Sequence, residues 1–339
     1  MKKVTPFPSK DYLLTNRRGA ENAEARQLFF LLPFYLLLLN LFSSAQAQIA
    51  PDGTLSTNVT TPNNLNFTIN DGSRAGNNLF HSFREFSVPT GGEAFFNNAA
   101  DIQNVFSRVT GGSISNIDGL IRANGAANLF LMNPNGIVFG PNAKLNVGGS
   151  FFASTARSLI FSDGTVFSTN PSQAAPLLTI NVPIGLQYGG TAGQIRVQGS
   201  GLNFALSGAS GSFDSTLNNL EVSPGNTLAL VGGNVIVDGG ILQAPGGRVE
   251  LGGLAGEGIV GINTDGSLSF PANVQRADVS MINKAGINVL AGGGGDIAIH
   301  AQNVEISGES LLTTGIATGL GTPGAKAGNI AIDAVGAIT

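Results

Sequence analysis

Short runs along this chain alternate apolar and polar residues and then stop at glycine or another small residue. Ile195-Arg196-Val197-Gln198-Gly199, Val235-Ile236-Val237-Asp238-Gly239, Val249-Glu250-Leu251-Gly252, Ile297-Ala298-Ile299-His300-Ala301, Val304-Glu305-Ile306-Ser307-Gly308 and Ile330-Ala331-Ile332-Asp333-Ala334 follow this pattern. A period of two puts one side of each segment in a core and the other outside, so these segments predict half-buried strands. After Gln48 no stretch sustains a period of 3.6, and the good helix formers Lys, Glu and Arg are scarce. The fold class is therefore all-β.

Spacing refines that reading. Gly295-Asp296-Ile297 and Gly328-Asn329-Ile330 lie 33 residues apart, while other strand starts are irregularly separated. This suits a solenoid with loops of variable length, in which each coil buries its Val, Ile and Leu only against the coils above and below. At about 22 to 25 residues per coil, the 292 residues after Ala47 predict roughly twelve coils and a rod on the order of 60 Å. An antiparallel β-sandwich shares the same periodicity and is the competing fold.

Composition supports a repetitive, turn-rich chain. Charged residues make up 11% of the 339 positions, against about 25% in an ordinary domain, and 48 positions are glycine. Six of the 17 Lys and Arg precede Ala47; the remainder has eleven basic and eighteen acidic residues, a net charge of −7. That balance argues against a nucleic-acid surface. There is no cysteine, so no disulfide can staple its loops.

Lys2, Lys3, Lys10, Arg17, Arg18 and Arg26 precede the apolar block from Leu28 to Phe42, and Ser43-Ser44-Ala45-Gln46-Ala47 follows it. A basic region, a short apolar region and a small-x-small site make a secretory signal peptide, with Ala45 and Ala47 forming the cleavage site after Ala47. The apolar block is too short and interrupted for a membrane span of about 20 residues.

The mature chain then carries an ordered series of motifs: Gln48-Ile49-Ala50-Pro51-Asp52-Gly53; Asn78-Leu79-Phe80-His81-Ser82-Phe83; Phe95-Phe96-Asn97-Asn98; Arg108-Val109-Thr110-Gly111-Gly112; and Asn128 through Asn133-Pro134-Asn135-Gly136-Ile137. Pro134 fixes its own φ and pushes Asn133 towards an extended conformation, while Asn135-Gly136 supplies the positive φ of a tight turn. The motif is thus a sharp corner between two apolar strands.

From Ile49 to about Phe161 this series resembles the filamentous-haemagglutinin N-terminal domain, the secretion domain of two-partner-secretion exoproteins. The resemblance covers about a third of the chain. It implies a right-handed, single-stranded parallel β-helix of the pectate-lyase-like kind, with small antiparallel extra strands and an N-terminal cap. It further implies an outer-membrane β-barrel transporter with periplasmic recognition domains as partner. The expected secretion motif is Asn133, Pro134, Asn135, Gly136 and Ile137, supported by Asn97, Asn98, Arg108, Thr110, Gly111, Gly112 and Asn128. Either the motif touches the transporter directly or it shapes a corner on which export depends. A second Asn-Pro-Asn-Leu motif found in some members has no counterpart here, since Pro62-Asn63-Asn64-Leu65 lies too early.

The expected organisation is a signal peptide over 1–47, a secretion domain over 48–165, an irregular extra-helical segment over 166–183 and a β-helical passenger over 184–339. The chain stops in repeat-like sequence, as expected for the front of a longer protein or a shortened relative. The resemblance places the mature protein outside a double-membraned bacterium, secreted or at the cell surface. There the passenger is expected to act as an adhesin towards host or neighbour-cell carbohydrate or protein.

A β-helical polysaccharide lyase or hydrolase is the alternative from another class. Asn263-Thr264-Asp265-Gly266 matches one short polygalacturonase-like motif, but the close aspartate pair, glycine-flanked histidine and Arg-Ile-Lys run that should accompany it are missing. The histidines, His81 and His300, lie on strand-like segments, and glycoside hydrolysis needs two flanking carboxylates. Gly319-Leu320-Gly321-Thr322-Pro323-Gly324 opens no helix, so it predicts no nucleotide site. Gly292-Gly293-Gly294-Gly295-Asp296 lacks the tandem copy of a calcium repeat. No residue cluster has metal-ligand spacing. The reading is a non-enzymatic exported protein without a cofactor.

Overall fold

The computed structural model describes residues 48–170, 178–202 and 219–339. The signal peptide, with Ala45 and Ala47, lies outside the described residues, as do Pro171 and Pro176 of the expected irregular segment. Among the described residues there are strands, turns and loops and no helix.

The chain coils into a β-helix whose parallel strands build three faces. The wide face stacks eight parallel strands: Asn78–Phe86, Asn104–Val109, Asn128–Met132, Phe151–Ser154, Thr227–Gly232, Arg248–Gly253, Asp296–Ala301 and Ile330–Ala334. Leu79, Val105, Leu129, Phe151, Leu228, Val249, Ile297 and Ile330 pair in register down this face, giving one continuous apolar column. The 33-residue spacing read from the sequence is the pairing of Ile297 with Ile330.

The second face stacks Ser115–Ile117, Ile137–Phe139, Ile195–Gln198, Val235–Asp238, Val279–Ile282 and Val304–Ile306, all parallel. The third consists of a five-stranded sheet ending in Lys144–Asn146 and a four-stranded sheet beginning with Asn219–Glu221. Inward residues of all three faces form one core that includes Val105, Ile121, Phe139, Ile195, Leu228 and Val279. Burying each such side chain contributes about 1.5–3 kcal/mol, and only stacking achieves it.

The expected N-terminal cap with small antiparallel strands is present, whereas the number of coils departs from the expectation. The first coil is capped by Ile49–Pro51 and Ser73–Ala75, each antiparallel to Asn78–Phe86. The wide face has eight parallel strands rather than about twelve, so seven steps of about 4.8 Å span roughly 34 Å. Residues leave the coil twice at the same corner, between the wide and second faces, and these excursions, together with the N-terminal cap, lower the number of coils among the described residues.

The excursions supply Ser158–Phe161, Val166–Ser168, Pro183–Tyr188, Gly258–Ile262 and Leu268–Ser269, which pair as one antiparallel outer sheet. Leu159, Phe161, Phe167, Leu186, Tyr188 and Val260 of that sheet pack onto Phe80, Phe106, Phe130 and Phe152 on the outside of the wide face. The wide face is therefore buried on both sides, which explains why strands such as Asn104–Val109 are almost wholly apolar or buried rather than cleanly alternating.

Candidate functional site: the asparagine corner and its groove

Asn133 ends the wide-face strand Asn128–Met132 and is completely buried. Its Oδ1 accepts hydrogen bonds from the Asn135 backbone N–H and the Asn135 side-chain amide, both at 3.0 Å. Its Nδ2 donates to the Ser113 carbonyl at 3.0 Å and to Ser115 Oγ at 2.9 Å. The Gly136 N–H closes the turn onto the Asn133 carbonyl at 3.1 Å, and the positive φ, +130°, falls on Gly136. An unsatisfied buried amide costs about 1–3 kcal/mol; here every hydrogen-bonding atom of the Asn133 side chain is used.

The corner is one member of a stack. Asn135 Nδ2 donates to the Gly111 carbonyl of the preceding coil at 2.7 Å. On the other side the Gly193 N–H donates to the Pro134 carbonyl at 3.0 Å, and the Ile137 N–H donates to the Gln194 carbonyl at 3.0 Å. The approach is so close that a Cβ on Gly193 would sit 2.4 Å from the Asn135 carbonyl carbon, and one on Gly111 would sit 2.1 Å from the Arg84 carbonyl oxygen. Glycine is required at both positions by backbone contact.

Arg108 and Thr110 tie this stack to the N-terminal cap. Arg108 Nε donates to Ser82 Oγ at 2.7 Å, Nη2 to Thr54 Oγ1 at 3.0 Å and Nη1 to the Ser168 carbonyl, while the guanidinium lies 4.7 Å from the Phe167 ring centroid. Asp52 accepts from Thr54 N–H at 2.9 Å, Ser82 Oγ at 2.6 Å and Thr110 Oγ1 at 2.8 Å. Burial raises the Asp52 carboxyl, but the hydrogen bonds from Ser82, Thr54 and Thr110 outweigh it and hold the group below the ordinary carboxylate range. Burial lowers the Arg108 guanidinium, opposed by the charge of Asp52; an arginine still remains cationic at neutral pH.

The other expected motif residues stand elsewhere. Asn98 is buried and exchanges bonds with Asn124, its Oδ1 accepting from the Asn124 N–H at 2.9 Å and its Nδ2 donating to the Asn124 carbonyl at 3.0 Å. Asn97 belongs to an exposed ladder with Asn70 and Asn124. Asn128 belongs to a second ladder, donating to Asn104 Oδ1 at 2.9 Å, while Asn104 donates to Asn78 Oδ1 at 2.9 Å. The structure thus brings Thr110, Gly111 and Gly112 to Asn133–Gly136 and leaves Asn97, Asn98 and Asn128 at other edges of the coil.

Beside the corner lies an open groove of about 670 Å³, lined by Gly111, Gly112, Pro134 and Asn135 together with Arg157 and Glu257 of the excursions. Sequence reasoning did not select Asp52, Ser113, Ser115, Gly193, Arg157 or Glu257. Asp52 was within reach as an acid two residues before a threonine at a turn; the others depend on coil length, which no local pattern reveals. A second cavity of about 420 Å³ contains Asn263, Thr264, Asp265 and Gly266, with Asp265 its single carboxylate. The Asn263–Gly266 tetrapeptide is a turn, with the Gly266 N–H donating to the Asn263 carbonyl at 3.0 Å. Among the described residues no three acidic or histidine side chains gather to hold a metal ion.

A parallel β-helix whose first coils concentrate the ordered motifs defines an export module of the two-partner kind. Residues 47–299 match the family model of the TPS secretion domain, and the chain belongs to that family. The family comprises secretion domains of two-partner-secretion substrates, exported across the outer membrane of Gram-negative bacteria, and membership implies interaction with an outer-membrane transporter. The family is not known as enzymatic. Among solved structures, the chain is similar to a filamentous hemagglutinin secretion domain, at 14% identity and a TM-score of 0.46, covering 86% of this chain and 99% of that one. It is also similar to the HMW1 secretion domain from Haemophilus influenzae, at 19% identity and a TM-score of 0.47, covering 79% of this chain and 65% of that one. No curated protein matches.

Proposed function

We propose that periplasmic recognition domains of the transporter read the segment from Asn133 to Ile137 before it folds, and that the same residues then lock the corner once the chain is outside. One observation carries this reading: the folded corner buries Asn133 completely and uses all its side-chain hydrogen-bonding atoms. Folded, Asn133 offers a partner nothing. Folding coil by coil outside the cell opposes backsliding, because each coil buries an apolar column against the last.

The motif-bearing region is 48–165, but Arg108 reaches Ser168 and Asn78 Nδ2 reaches the carbonyls of Thr179 and Asn181 at 3.0 and 2.8 Å. Completion of the first coils therefore waits for residues up to 181. Val166–Ser168 and Pro183–Tyr188 belong to the outer-sheet excursion beside those coils, from Ile195 the described strands rejoin the helix, and we assign its later coils to the passenger. Its surface is the region for adhesion to carbohydrate or protein on other cells.

The test is co-expression of the chain with its transporter, comparing wild type with Asn133→Ala, beside binding of urea-unfolded and folded chain to the immobilised periplasmic domains. We expect Asn133→Ala to abolish export, to weaken binding of the unfolded chain and to destabilise the folded protein by about 1–3 kcal/mol. Equal binding of folded and unfolded wild type, or normal export of the variant, overturns the reading.

A further inference from the structure

The groove beside the corner has two charged side chains that the export reading leaves unused. Arg157 follows the first wide-face exit, and Glu257 precedes Gly258–Ile262 of the second. They come from excursions about 100 residues apart in sequence and line one groove. Consecutive glycines seat them. A Cβ on Gly189 would fall 2.5 Å from Arg157 Nε, and one on Gly190 would fall 3.9 Å from Glu257 Oε1.

The Arg157 backbone is held on both sides, its N–H donating to the Gln187 carbonyl at 2.8 Å and its carbonyl accepting from the Thr169 N–H at 2.8 Å. The outer sheet therefore fixes the point from which the arginine side chain enters the groove. Both side chains are exposed, and neither forms an ion pair with any described residue. An exposed surface pair is worth only about 0–1 kcal/mol, so leaving them apart costs the fold little. Once a partner covers the groove and excludes water, each charge gains from an opposite one and penalises a like one.

The remaining lining indicates what covers it. A Cβ on Gly111, Gly189 or Gly258 would strike Arg84, Arg157 or Val274 of this chain, so among the lining glycines Gly112 is the one with its outward side free. A Cβ on Gly112 would meet nothing within 4 Å, so this position is open to solvent. Glycines that expose backbone in this way admit a second backbone at close range.

We propose that this groove of the folded protein binds an extended polypeptide segment of a partner, with an acidic side chain set against Arg157 and a basic side chain against Glu257. The site exists only after folding, so it acts later than the reading of the unfolded motif and is independent of it. The opposite charges in one groove select a zwitterionic peptide over a uniformly charged one.

A random peptide library displayed on phage, panned against the folded protein, tests this directly. Enriched sequences should contain an acid and a base at a constant spacing, and enrichment should fall at least about tenfold on Arg157→Gln and on Glu257→Gln. Thermal unfolding of both variants, expected at the wild-type temperature because the side chains are exposed, separates loss of the site from loss of the fold. Equal enrichment on the wild type and on a variant carrying both Arg157→Gln and Glu257→Gln overturns the proposal. So does failure to enrich any charged pair, and so does capture of oligosaccharides by the same groove in a parallel glycan screen.

Discussion

One face of the molecule is built in two chemistries. On the outside of the wide sheet, Phe80, Phe106, Phe130 and Phe152 stack on successive coils, with ring centroids 5.1, 5.0 and 4.5 Å apart. The same column continues through Ala229, Glu250 and Ala298. Beside it, Gly252, His300 and Asp333 follow one another where Ser82, Arg108 and Met132 stand in the early coils. The outer sheet covers both halves, but with Phe161 and Phe167 over the first and Leu268 and Phe270 over the second. An identical backbone ladder thus seals the early half mainly by stacked phenylalanines, with Arg108 at their margin, and the later half through a cluster of ionisable groups.

The charged half is tightly organised. Glu250 is 1% exposed; Arg248 Nη1 approaches Glu250 Oε1 at 3.3 Å, and its Nη2 pairs with Asp296 at 2.8 Å. Glu250 Oε2 lies 3.8 Å from His300 Nε2 and has no hydrogen-bond partner. His300 Nδ1 is 3.3 Å from Asp333 Oδ2, which Arg276 binds at 2.8 Å. Phe270 stacks on the His300 ring at 4.5 Å. Burial pushes the Glu250 carboxyl up to about 7, against the pull of Arg248 and the Leu268 N–H. Burial also lowers His300, with Asp333 opposing and Arg276 adding to the shift.

The largest expected effect comes from breaking the apolar half. Phe106 is fully buried and touches the rings of Phe80, Phe130 and Phe161. Phe106→Ala should cost about 4 kcal/mol through lost transfer energy and the cavity left behind. Chemical denaturation at pH 5 and at pH 8 should give the same loss, because none of the rings Phe106 touches titrates. A loss that differs between the two pH values by more than the fitting error means the halves are coupled.

Glu250 should behave in the opposite way. Its folded carboxyl titrates near 7 against an ordinary 4.5, so between those values the folded state holds the extra proton. Its contribution is present below pH 4.5 and is lost as pH rises through 7, by about 3 kcal/mol in total. Glu250→Gln keeps the neutral form at every pH. We expect its stability to exceed wild type at pH 8 and to converge with it near pH 4.5; parallel profiles remove Glu250 as the source of the slope.

Much of this comparison was invisible along the chain, for reasons that particular residues make plain. The alternating segments at Ile195, Val235, Val249, Ile297, Val304 and Ile330 are strands, and the pairing of Ile297 with Ile330 was legible in their spacing. Which face each joins was not, because all three faces use the same period. The outer sheet was hidden more deeply. Leu186 pairs with Val260 across 74 residues, and a strand covered on both sides loses the alternation that would betray its faces. At the corner, Pro134 and Gly136 announced a turn, but the partners Gly111, Ser113 and Ser115 are fixed by the length of one coil. Asn97 and Asn98 are adjacent and alike in sequence, yet one lies in an exposed ladder and the other is buried. Only the third dimension separates them.

The smallest effect sharpens the comparison from inside the apolar half, where one group does titrate. His81 faces inward in the first coil, 1% exposed, with its ring 5.5 Å from Phe96 and 6.0 Å from Phe83, and its Nδ1 has no hydrogen-bond partner. Burial lowers it to about 3 from an ordinary 6.5. The unfolded chain therefore binds the proton that the folded chain refuses, and the contribution of His81 to stability is intact above pH 6.5 and falls as pH drops towards 3. At pH 5.5 the loss is about 1 kcal/mol, small enough to be read only against a control. His81→Leu supplies it, since Leu131 and Leu230 already occupy the same inward column through Ser107 and Ala153. The difference between the two denaturation midpoints should be constant above pH 7 and should shift in favour of the leucine variant as pH falls to 5.5. A constant difference throughout would mean that His81 titrates normally and that water reaches the first coil, so that the cap formed by Ile49–Pro51 opens in solution.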